Sequence, residues 1–338
     1  MGQTMSFLSM FLRVQFFSKL EDTKADLTGR TYLVTGCNTG VGLAVAVHLA
    51  RLNPALLILA VRDLTKGEAA KTTIVTETGF KGAIEVWELD MASFASVKKF
   101  AERANGTLDR LDGAVLNAGI NNWNWEVTVD GWERLLQVNG LATGLLGVLL
   151  LPKLQATSKL PHPLPDTALP PHLTFTGSEG MFMAKFADKS APKILEAMNN
   201  KELSKDAVDR YPTSKLFNYY FAREISMLPQ AQGVVVNTVS PGLTSTELGR
   251  DLAIPAWAFS IINKISFTAS QGALTLLYGV LRPTPPGAFI YACKITELPS
   301  WRPTKEEGPY SDLQSRLWSE MVEVWRGVAP EVSDIVTV

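Results

Sequence analysis

A tyrosine and a lysine, Tyr211 and Lys215, stand four residues apart. On a helix this spacing puts both side chains on one face, with the lysine ammonium beside the tyrosine phenol. A neighbouring cation stabilises phenolate and is expected to lower the phenol pKa from its reference value of about 10. Such a phenol can give a proton to a carbonyl oxygen or take one from an alcohol. The same spacing also occurs by chance on exposed helix faces, so the pair needs a second signal.

The second signal is a glycine-rich turn. Residues 35–42 read TGCNTGVG, with glycines at Gly36, Gly40 and Gly42. An apolar run precedes the turn, and an Ala-, Val- and Leu-rich helical pattern follows over residues 41–52. In a strand–turn–helix unit, glycines let backbone N–H groups approach a pyrophosphate at the helix N-terminus. The pattern therefore favours dinucleotide binding over an ordinary glycine-containing turn.

Together these motifs resemble those of the short-chain dehydrogenase/reductase family. The family motifs TGxxxGxG and YxxxK match residues 35–42 and 211–215, and residues 116–119 (LNAG) resemble its NAG motif. The serine-proline-glycine at residues 240–242 matches the turn after the sixth strand. The match runs from about residue 27 to the end of the chain. Residues 57–62 and 318–320 resemble fungal secondary-metabolism reductases and the retinol-dehydrogenase-like branch.

The resemblance implies a catalytic tetrad of Asn139, Ser178, Tyr211 and Lys215. Tyr211 would be the general acid, and Ser178 would hydrogen-bond the carbonyl oxygen. Lys215 would tune Tyr211 and bind ribose hydroxyls, and Asn139 would hold a water that connects the lysine to solvent. Taken on their residue types alone, Ser178 could instead cap a strand end, and Asn139 could begin the apolar helix over residues 141–151.

The resemblance also implies a set of cofactor-binding residues. Besides Tyr211 and Lys215, they are Gly36, Asn38, Thr39, Gly40, Val41, Gly42, Arg62, Lys66, Asp90, Met91, Asn117, Ala118, Gly119, Pro241, Gly242, Leu243 and Thr246.

Arg62 follows the second strand, and Val61 stands before it where NAD-selective relatives carry an aspartate for the ribose 2′-hydroxyl. The missing acid, together with Arg62 and Lys66 as partners for a 2′-phosphate, predicts NADP(H). Asp63 next to them is expected to cap the following helix. The alternative for Arg62 is a solvated surface residue.

Aromatic and apolar residues near these motifs predict a hydrophobic substrate. The candidate pocket residues are Trp123, Trp125, Glu179, Met181, Trp257 and Phe259. The predicted reaction is NADPH-dependent reduction of a ketone or aldehyde, such as a polyketide-type intermediate, with Tyr211 as the acid. Two alternatives stay open: a non-redox dinucleotide-binding scaffold or sensor, and a double-bond reduction, isomerisation or cyclisation on the same fold.

Composition excludes several other classes of protein. The net charge of −1 and pI near 6.4 lack the basic footprint of nucleic-acid binding. Two cysteines, Cys37 and Cys293, are too few for a disulfide framework, which predicts a reducing, cytoplasmic location. His48, His162 and His172 lack the spacing of metal ligands, so no metal site is expected. No 18-residue apolar run is evident, so no transmembrane helix is expected.

The elements that must position these residues alternate along the chain. Apolar strands are predicted at residues 32–35, 56–61, 84–89, 113–117, 172–176, 234–239 and 288–291, with amphipathic helices between them. This pattern predicts an α/β fold of the Rossmann type, with a doubly wound parallel sheet of about seven strands and helices on both faces. The candidate residues Gly36, Asn117, Ser178 and Ser240 then all follow strand ends, the edge at which such sheets bind ligands.

The predicted organisation is one Rossmann-fold domain, residues 27–338, after an apolar leader helix over residues 1–26. It carries an insertion at about 186–207, a substrate cap at about 243–268 and a tail at about 296–338. The leader is predicted to dock on the fold rather than to lie in a membrane surface, the alternative for an apolar aromatic helix. A homodimer through the helices that carry Asn139 and Tyr211 is predicted, unless the leader and tail cover those helices within one chain.

Overall fold

The computed structural model describes residues 2–164, 168–204, 206–246, 248, 260, 262, 264–297 and 309–336. Within them, eight strands form one sheet in the order β3-β2-β1-β4-β5-β6-β7-β8. The strands are β1 (Thr31–Thr35), β2 (Leu56–Val61), β3 (Ala83–Glu88), β4 (Gly113–Leu116), β5 (His172–Thr176), β6 (Val235–Ser240), β7 (Ala288–Tyr291) and β8 (Lys294–Ile295). The strands β1 to β7 are parallel, and β8 pairs antiparallel with β7. The strand order reverses between β1 and β4, which creates a crevice at their carboxyl ends.

Helices cover both faces of the sheet. They are α1 (Gly2–Phe17), α2 (Gly40–Arg51), α3 (Leu64–Thr78), α4 (Phe94–Thr107), α5 (Ala142–Ser158), α6 (Ile194–Met198), α7 (Ala207–Ser226), α8 (Ala269–Leu281), α9 (Pro309–Val328) and α10 (Val332–Ile335). Neighbouring residues of β1 point to opposite faces: Leu33 joins the core under α4, α5 and α7, and Val34 joins the core under α2, α3 and α8. Strands buried on both faces explain the continuous apolar runs in the sequence.

The predicted doubly wound sheet is confirmed, with seven strands at or within one residue of their expected ends. The eighth strand, β8, was not predicted. It is two residues long, and both are exposed, so it leaves no apolar pattern in the sequence. Its pairing depends on a reversal after β7, where Ala292 and Cys293 both have positive φ values of 50° and 57°.

A π-helical turn, Leu136–Leu141, leads into α5 and contains Asn139. Such a turn disrupts the regular α-helical hydrogen bonds. The carbonyl of Leu141 accepts a hydrogen bond from the Trp325 indole of α9 at 2.8 Å, and that of Val138 accepts one from the Thr143 hydroxyl at 2.8 Å. Helix α9 therefore supports the backbone beside a predicted tetrad residue.

Among the described residues, one helical stretch, Leu136–Ser158, is long and apolar enough, by length and composition alone, to cross a membrane. Most of this stretch is buried inside the fold, where α5 packs against α4 and α7. A core helix of this kind passes the same length and composition test as a membrane span, because both are apolar on all sides.

The predicted insertion and tail contact each other. Within the insertion lie a 3₁₀ turn, Ala187–Ser190, and the short helix α6. Glu320 of α9 accepts the N–H groups of Ile194 and Leu195 at 2.9 and 2.8 Å, which satisfies the start of α6. Because α9 and α10 also pack on α7 and α5, they cover part of the surface that the dimer prediction invoked. The assembly state stays a prediction, for which a solution mass can be compared with 36.9 kDa for one chain.

The leader helix α1 contacts the body of the protein. Met10 and Val14 pack against the hydrophobic core, and the buried Gln15 donates to the carbonyls of Leu243 at 3.2 Å and Ile265 at 2.8 Å. Phe17 at the end of the helix is 83% exposed. The docking interpretation agrees with these contacts, and membrane contact by the exposed end stays untested.

Candidate functional site

The glycine turn between β1 and α2 has no room for larger side chains. Gly36 and Gly40 have positive φ values of 62° and 59°, a conformation that glycine adopts without strain. A Cβ on Gly42 would lie 2.5 Å from both the Gly36 carbonyl oxygen and the Asn117 side-chain nitrogen. The turn is thus packed to the backbone itself, and its surface is backbone that a ligand can approach closely.

The start of α2 is left without a side-chain cap. Thr39 occupies the N-cap position in an extended conformation and makes no side-chain hydrogen bond to the helix within the described residues. Asn38 and Val41 flank it in the same turn and are partly buried. Uncapped N–H groups at a helix N-terminus favour an anion such as a phosphate.

Side chains from two strand ends hold the turn in place. The hydroxyl of Thr35 accepts the N–H groups of Asn117 and Ala118, both at 2.9 Å. The Asn117 amide donates to the carbonyls of Thr35 at 3.1 Å and Gly36 at 3.2 Å. The glycine turn and the NAG loop therefore form one hydrogen-bonded unit across the switch point between β1 and β4.

The turn after β6 lies next to the glycine turn. Gly242 has a positive φ of 76°, and a Cβ on Gly40 would lie 3.5 Å from the Thr246 methyl group. The carbonyl of Leu243 accepts the Phe267 N–H at 2.8 Å, which joins the two ends of the predicted substrate cap. The predicted residues on both sides of the crevice are thus brought together.

Tyr211 and Lys215 lie on one face of α7, as their spacing predicts. The Lys215 nitrogen is 5.7 Å from the centre of the Tyr211 ring and donates to the Thr176 carbonyl at 2.9 Å. Lys215 is buried, and Tyr211 keeps part of its surface accessible. The lysine is therefore fixed to the end of β5, next to the tyrosine.

Asn139 is buried, and its amide makes three hydrogen bonds. Its oxygen accepts the Ile120 N–H at 2.8 Å, and its nitrogen donates to the Ile120 carbonyl at 2.8 Å and to the Ser214 hydroxyl at 3.1 Å. A Cβ on Gly119 would lie 3.2 Å from the Asn139 oxygen and 3.5 Å from the Lys215 nitrogen. Asn139 thus ties the NAG loop to α7 beside Lys215, and its implied role in holding a water stays a prediction.

Ser178 follows β5, and its hydroxyl accepts the Gly180 N–H at 3.0 Å. It therefore caps the 3₁₀ turn Glu179–Met183, whereas the alternative interpretation expected it to cap the end of the strand. The same hydroxyl lies close enough to the Tyr211 phenol to lower its pKa. The capping and catalytic roles are compatible, because a hydroxyl has one donor and two acceptor sites.

The charge states of the pair differ from the prediction. Burial raises the pKa of Tyr211 well above its usual value, and the nearby Glu179 carboxylate raises it further, against a smaller lowering by Ser178. Burial lowers the pKa of Lys215 to about 8. The expected lowering of the phenol pKa by the ammonium was therefore wrong, because desolvation disfavours both charged forms. Tyr211 is a protonated phenol near neutral pH.

The predicted adenosine end is more open. Arg62 is exposed, and within the described residues its guanidinium has no hydrogen-bond or ion-pair partner. Asp63 caps α3 by accepting the Lys66 N–H at 3.1 Å, as predicted. Asp90 accepts the Ala92 N–H at 2.9 Å, and the adjacent Met91 is packed in the core.

The candidate substrate residues fall into three groups. Trp123 and Trp125 are partly buried and are joined to α7 by Arg210, which donates to the Trp123 carbonyl at 2.7 Å and stacks 5.4 Å from the Trp125 ring. Glu179 and Met181 are buried, and Met181 belongs to the hydrophobic core. Trp257 and Phe259 lie outside the described residues.

Metal and thiol chemistry find little support in the part of the chain that the structure describes. There, no group of three or more His, Cys, Asp or Glu side chains could hold a metal ion. Both cysteines are free and buried, and burial raises the pKa of Cys37 to about 12. The Cys37 thiol is therefore a packing group in the glycine turn rather than a nucleophile.

Thr35 and Ser214 shape the site but were not predicted as site residues: Thr35 holds the glycine turn, and Ser214 holds Asn139. Ser240, a candidate from its strand-end position, accepts the Glu179 and Gly242 N–H groups at 3.0 and 3.2 Å. Thr35 is the last residue of β1, and the same strand-end position is the signal that could have identified it.

Comparison with known proteins agrees with this geometry. Residues 30–159 match the family model described as short chain dehydrogenase. The chain is 37% identical over 286 residues to the short chain dehydrogenase sol3 of Alternaria solani, covering 84% of this chain and 96% of the relative. It is 35% identical over 331 residues to the short chain dehydrogenase/reductase dmxR8 of Cryptosporiopsis sp., covering 96% and 98%.

Solved structures share the fold. A short-chain dehydrogenase from Sphingobium yanoikuyae in complex with NADPH has a TM-score of 0.56 at 18% identity, covering 91% of this chain and 97% of that chain. Salutaridine reductase from Papaver somniferum has a TM-score of 0.55 at 20% identity, covering 77% and 99%.

Proposed function

The chain belongs to the short-chain dehydrogenase/reductase family, and on that premise we propose that it is an NADPH-dependent reductase of a ketone or aldehyde on a hydrophobic small molecule. The observation that carries the proposal is the convergence of Tyr211, Lys215, Ser178 and Asn139 beside the glycine turn. A scaffold that only binds a dinucleotide has no need of a phenol and a buried lysine in this arrangement.

The residues present fit a dinucleotide. The glycine turn offers backbone without side chains, and the uncapped start of α2 offers N–H groups for a pyrophosphate. On the other side of the crevice, Lys215 would reach the nicotinamide ribose, and the turn at 241–243 would hold the nicotinamide. NADPH bound there would supply a hydride to the carbonyl carbon.

The proton chemistry belongs to Tyr211 and Ser178. As negative charge develops on the carbonyl oxygen, the Ser178 hydroxyl can donate a hydrogen bond to it and the Tyr211 hydroxyl can transfer its proton to it. The raised pKa of Tyr211 keeps that proton available near neutral pH. Lys215, as an ammonium, would then stabilise the tyrosinate that remains.

The choice of NADPH rests on Arg62 and Lys66. Both follow β2, where an aspartate would favour NAD, and the exposed guanidinium of Arg62 is available for a bidentate contact with a 2′-phosphate. The NADPH complex of the related fold from Sphingobium yanoikuyae agrees with this choice.

The substrate class rests on the apolar surroundings of the crevice. Trp123 and Trp125 stand on the loop after the NAG motif, and Arg210 fixes that loop to the helix of Tyr211. Aromatic side chains of this kind bind apolar ligands. A polyketide-type or other secondary-metabolite carbonyl suits such a pocket, and the fungal sources of the relatives support this class.

The test is NADPH oxidation with a panel of aromatic ketones, cyclic ketones and long-chain aldehydes, with product identification. We expect an alcohol product, and at least about a hundredfold loss of turnover in Tyr211→Phe. Tight NADPH binding without turnover on any panel member would favour the scaffold alternative. A product reduced at a carbon–carbon double bond, or rearranged without NADPH consumption, would favour the alternative reactions.

A further inference from the structure

Glu179 is a buried acidic residue next to the predicted catalytic serine in the chain. It is 7% exposed and follows Ser178 at the carboxyl end of β5. The Ser178 hydroxyl lies close enough to lower the pKa of the Glu179 carboxyl and that of the Tyr211 phenol. A buried carboxylate is retained only with strong partners, because its desolvation is costly.

The Glu179 carboxylate has such a partner in the hydroxyl of Ser240 at the end of β6. Its oxygen accepts two backbone hydrogen bonds, from Glu179 N–H at 3.0 Å and from Gly242 N–H at 3.2 Å. A hydroxyl has two acceptor sites and one proton, so its proton is left for the Glu179 Oε2 atom, 2.6 Å away. Glu179 and Ser240 thus share two hydrogen bonds, one through the backbone and one through the carboxylate.

These bonds connect two parts of the site that the strands alone do not connect. The β5–β6 ladder ends with the pairing of Thr176 and Val239, followed by one backbone bond from Gly177 to Val239. Ser178 and the Pro241–Gly242 turn follow beyond that point. The Glu179–Ser240 hydrogen bonds bridge the two segments past the last β5–β6 pair.

The electrostatic setting agrees with a role at the site. The Glu179 carboxylate raises the pKa of Tyr211 and of Tyr291, whose buried hydroxyl has no hydrogen-bond partner within the described residues. Burial raises the pKa of the Glu179 carboxyl itself, against a smaller lowering by Ser240. The carboxyl is therefore held by Ser240 in a region of low polarity, close to the acid.

We propose that Glu179 is a positioning residue that, through Ser240, fixes the nicotinamide-binding turn at residues 240–243 relative to Ser178. This inference rests on the proposed function and assigns Glu179 a place behind the site rather than in the substrate pocket. It predicts that loss of the contact loosens the nicotinamide end of a bound nucleotide and leaves the adenosine end unchanged.

The experiment measures two dissociation constants by calorimetry for each protein: that of NADPH, and that of 2′-phospho-ADP-ribose, which lacks the nicotinamide. The second constant divided by the first reports how much the nicotinamide end adds to affinity, and its measurement needs no substrate. Relative to the parent, we expect Glu179→Ala and Ser240→Ala each to lower this ratio about tenfold, with the affinity for 2′-phospho-ADP-ribose unchanged. Glu179→Gln, whose amide oxygen can still accept from Ser240, should stay within about threefold of the parent.

A double-mutant cycle identifies the route. Because Glu179 is proposed to act through Ser240, the double variant should lower the ratio no further than the worse single variant. The matched control is Asp112→Asn, which alters a buried carboxylate at the opposite, amino-terminal edge of the sheet, where it binds Arg30, Arg110 and the Thr31 N–H. This variant should lose thermal stability and keep the ratio of the parent.

Four outcomes would overturn the proposal. Equal losses of affinity for both nucleotides in Glu179→Ala would show a merely structural role, and unchanged affinities for both would show no role in anchoring the nicotinamide. Additive losses in the cycle would mean that Glu179 does not act through Ser240. If the parent binds neither nucleotide, the proposed function itself fails, and the positioning role falls with it.

Discussion

The glycine turn and the tetrad lie at the same edge of the sheet, but the chain shapes them by different means. In the turn, the contact surface is backbone: Gly36 and Gly40 adopt positive φ, and Gly42 has the Gly36 carbonyl where a Cβ would be. In the tetrad, the contact surface is side chains whose positions are fixed by hydrogen bonds, such as Lys215 to the Thr176 carbonyl. The glycine turn excludes side chains, and the tetrad depends on their chemistry.

The difference separates binding from turnover. A substitution in the glycine turn adds atoms where a phosphate must approach, so it should weaken nucleotide binding whatever its chemistry. A substitution in the tetrad that keeps shape and removes a proton should leave binding intact and slow the reaction. Paired measurements of nucleotide affinity and turnover therefore test the comparison directly.

The largest expected effect is that of Tyr211→Phe. The ring and its packing stay, but the proton that the phenol would transfer is lost, so kcat should fall at least about a hundredfold with NADPH affinity unchanged. Tyr219→Phe, two helical turns further along α7 and packed on Phe289, is the matched control and should keep kcat. Near-parent turnover of Tyr211→Phe would mean that another group supplies the proton, with Ser178 the first to examine.

Gly42→Ala should produce the next largest effect, on binding instead of turnover. The new Cβ would lie 2.5 Å from the Gly36 carbonyl and the Asn117 amide, so the turn must shift away from its nucleotide-binding shape. We expect NADPH affinity to fall more than tenfold, about 1.4 kcal/mol or more. The control is Gly106→Ala near the end of α4, where a Cβ would meet nothing within 4 Å. Parent-like affinity in Gly42→Ala would show that the phosphates do not approach this turn.

The features of the glycine turn and of the tetrad that could be predicted from sequence are those set by local spacing. The glycine turn is local, so its residues, its position after a strand and its conformation all follow from one short motif. The pairing of Tyr211 with Lys215 is also local, since helix geometry alone brings positions four apart together. Both were predicted from their spacing.

The remaining features depend on register and burial. Glu179 and Ser240 are 61 residues apart and meet only because β5 and β6 pair with Thr176 opposite Val239. Spacing likewise predicted that Lys215 lies near Tyr211, but it could not predict that both groups are desolvated. Desolvation raises the pKa of Tyr211, which reverses the direction expected from a neighbouring ammonium.

The lowered pKa of Lys215 gives the tetrad a pH dependence that the glycine turn lacks. In the free protein its ammonium loses its proton as the pH rises through about 8, while Tyr211 stays protonated. A neutral amine binds ribose hydroxyls less strongly than an ammonium does, so NADPH affinity should fall about tenfold from one pH unit below that value to one above. Lys215→Met, neutral at every pH, should bind weakly with no such step. A step of equal size in that variant would assign the titration to another group.

Arg62→Ala tests the predicted adenosine end of the crevice. Loss of the guanidinium should remove most of an expected tenfold preference for NADPH over NADH, about 1.4 kcal/mol, and leave NADH affinity nearly unchanged. Arg51→Ala, another exposed arginine at the end of α2, should keep the preference. Calorimetric titration of both cofactors is the measurement, and equal affinities in the parent protein would contradict NADP selectivity.

The smallest expected effect concerns α1, which contacts the predicted substrate cap. Gln15 donates to the carbonyls of Leu243 and Ile265 within that cap, so Gln15→Leu removes both hydrogen bonds and keeps the bulk of the side chain. A net loss of about 1 kcal/mol corresponds to about fivefold weaker NADPH binding, and 2′-phospho-ADP-ribose should bind as before. Phe17→Ser, at the exposed end of the same helix, should keep both affinities.

The same two variants test the membrane alternative by sedimentation with phosphatidylcholine and phosphatidylserine vesicles. If α1 only docks on the cap, the parent stays in the supernatant. Sedimentation of the parent that Phe17→Ser abolishes, with Gln15→Leu unchanged in both assays, would instead make α1 a membrane contact.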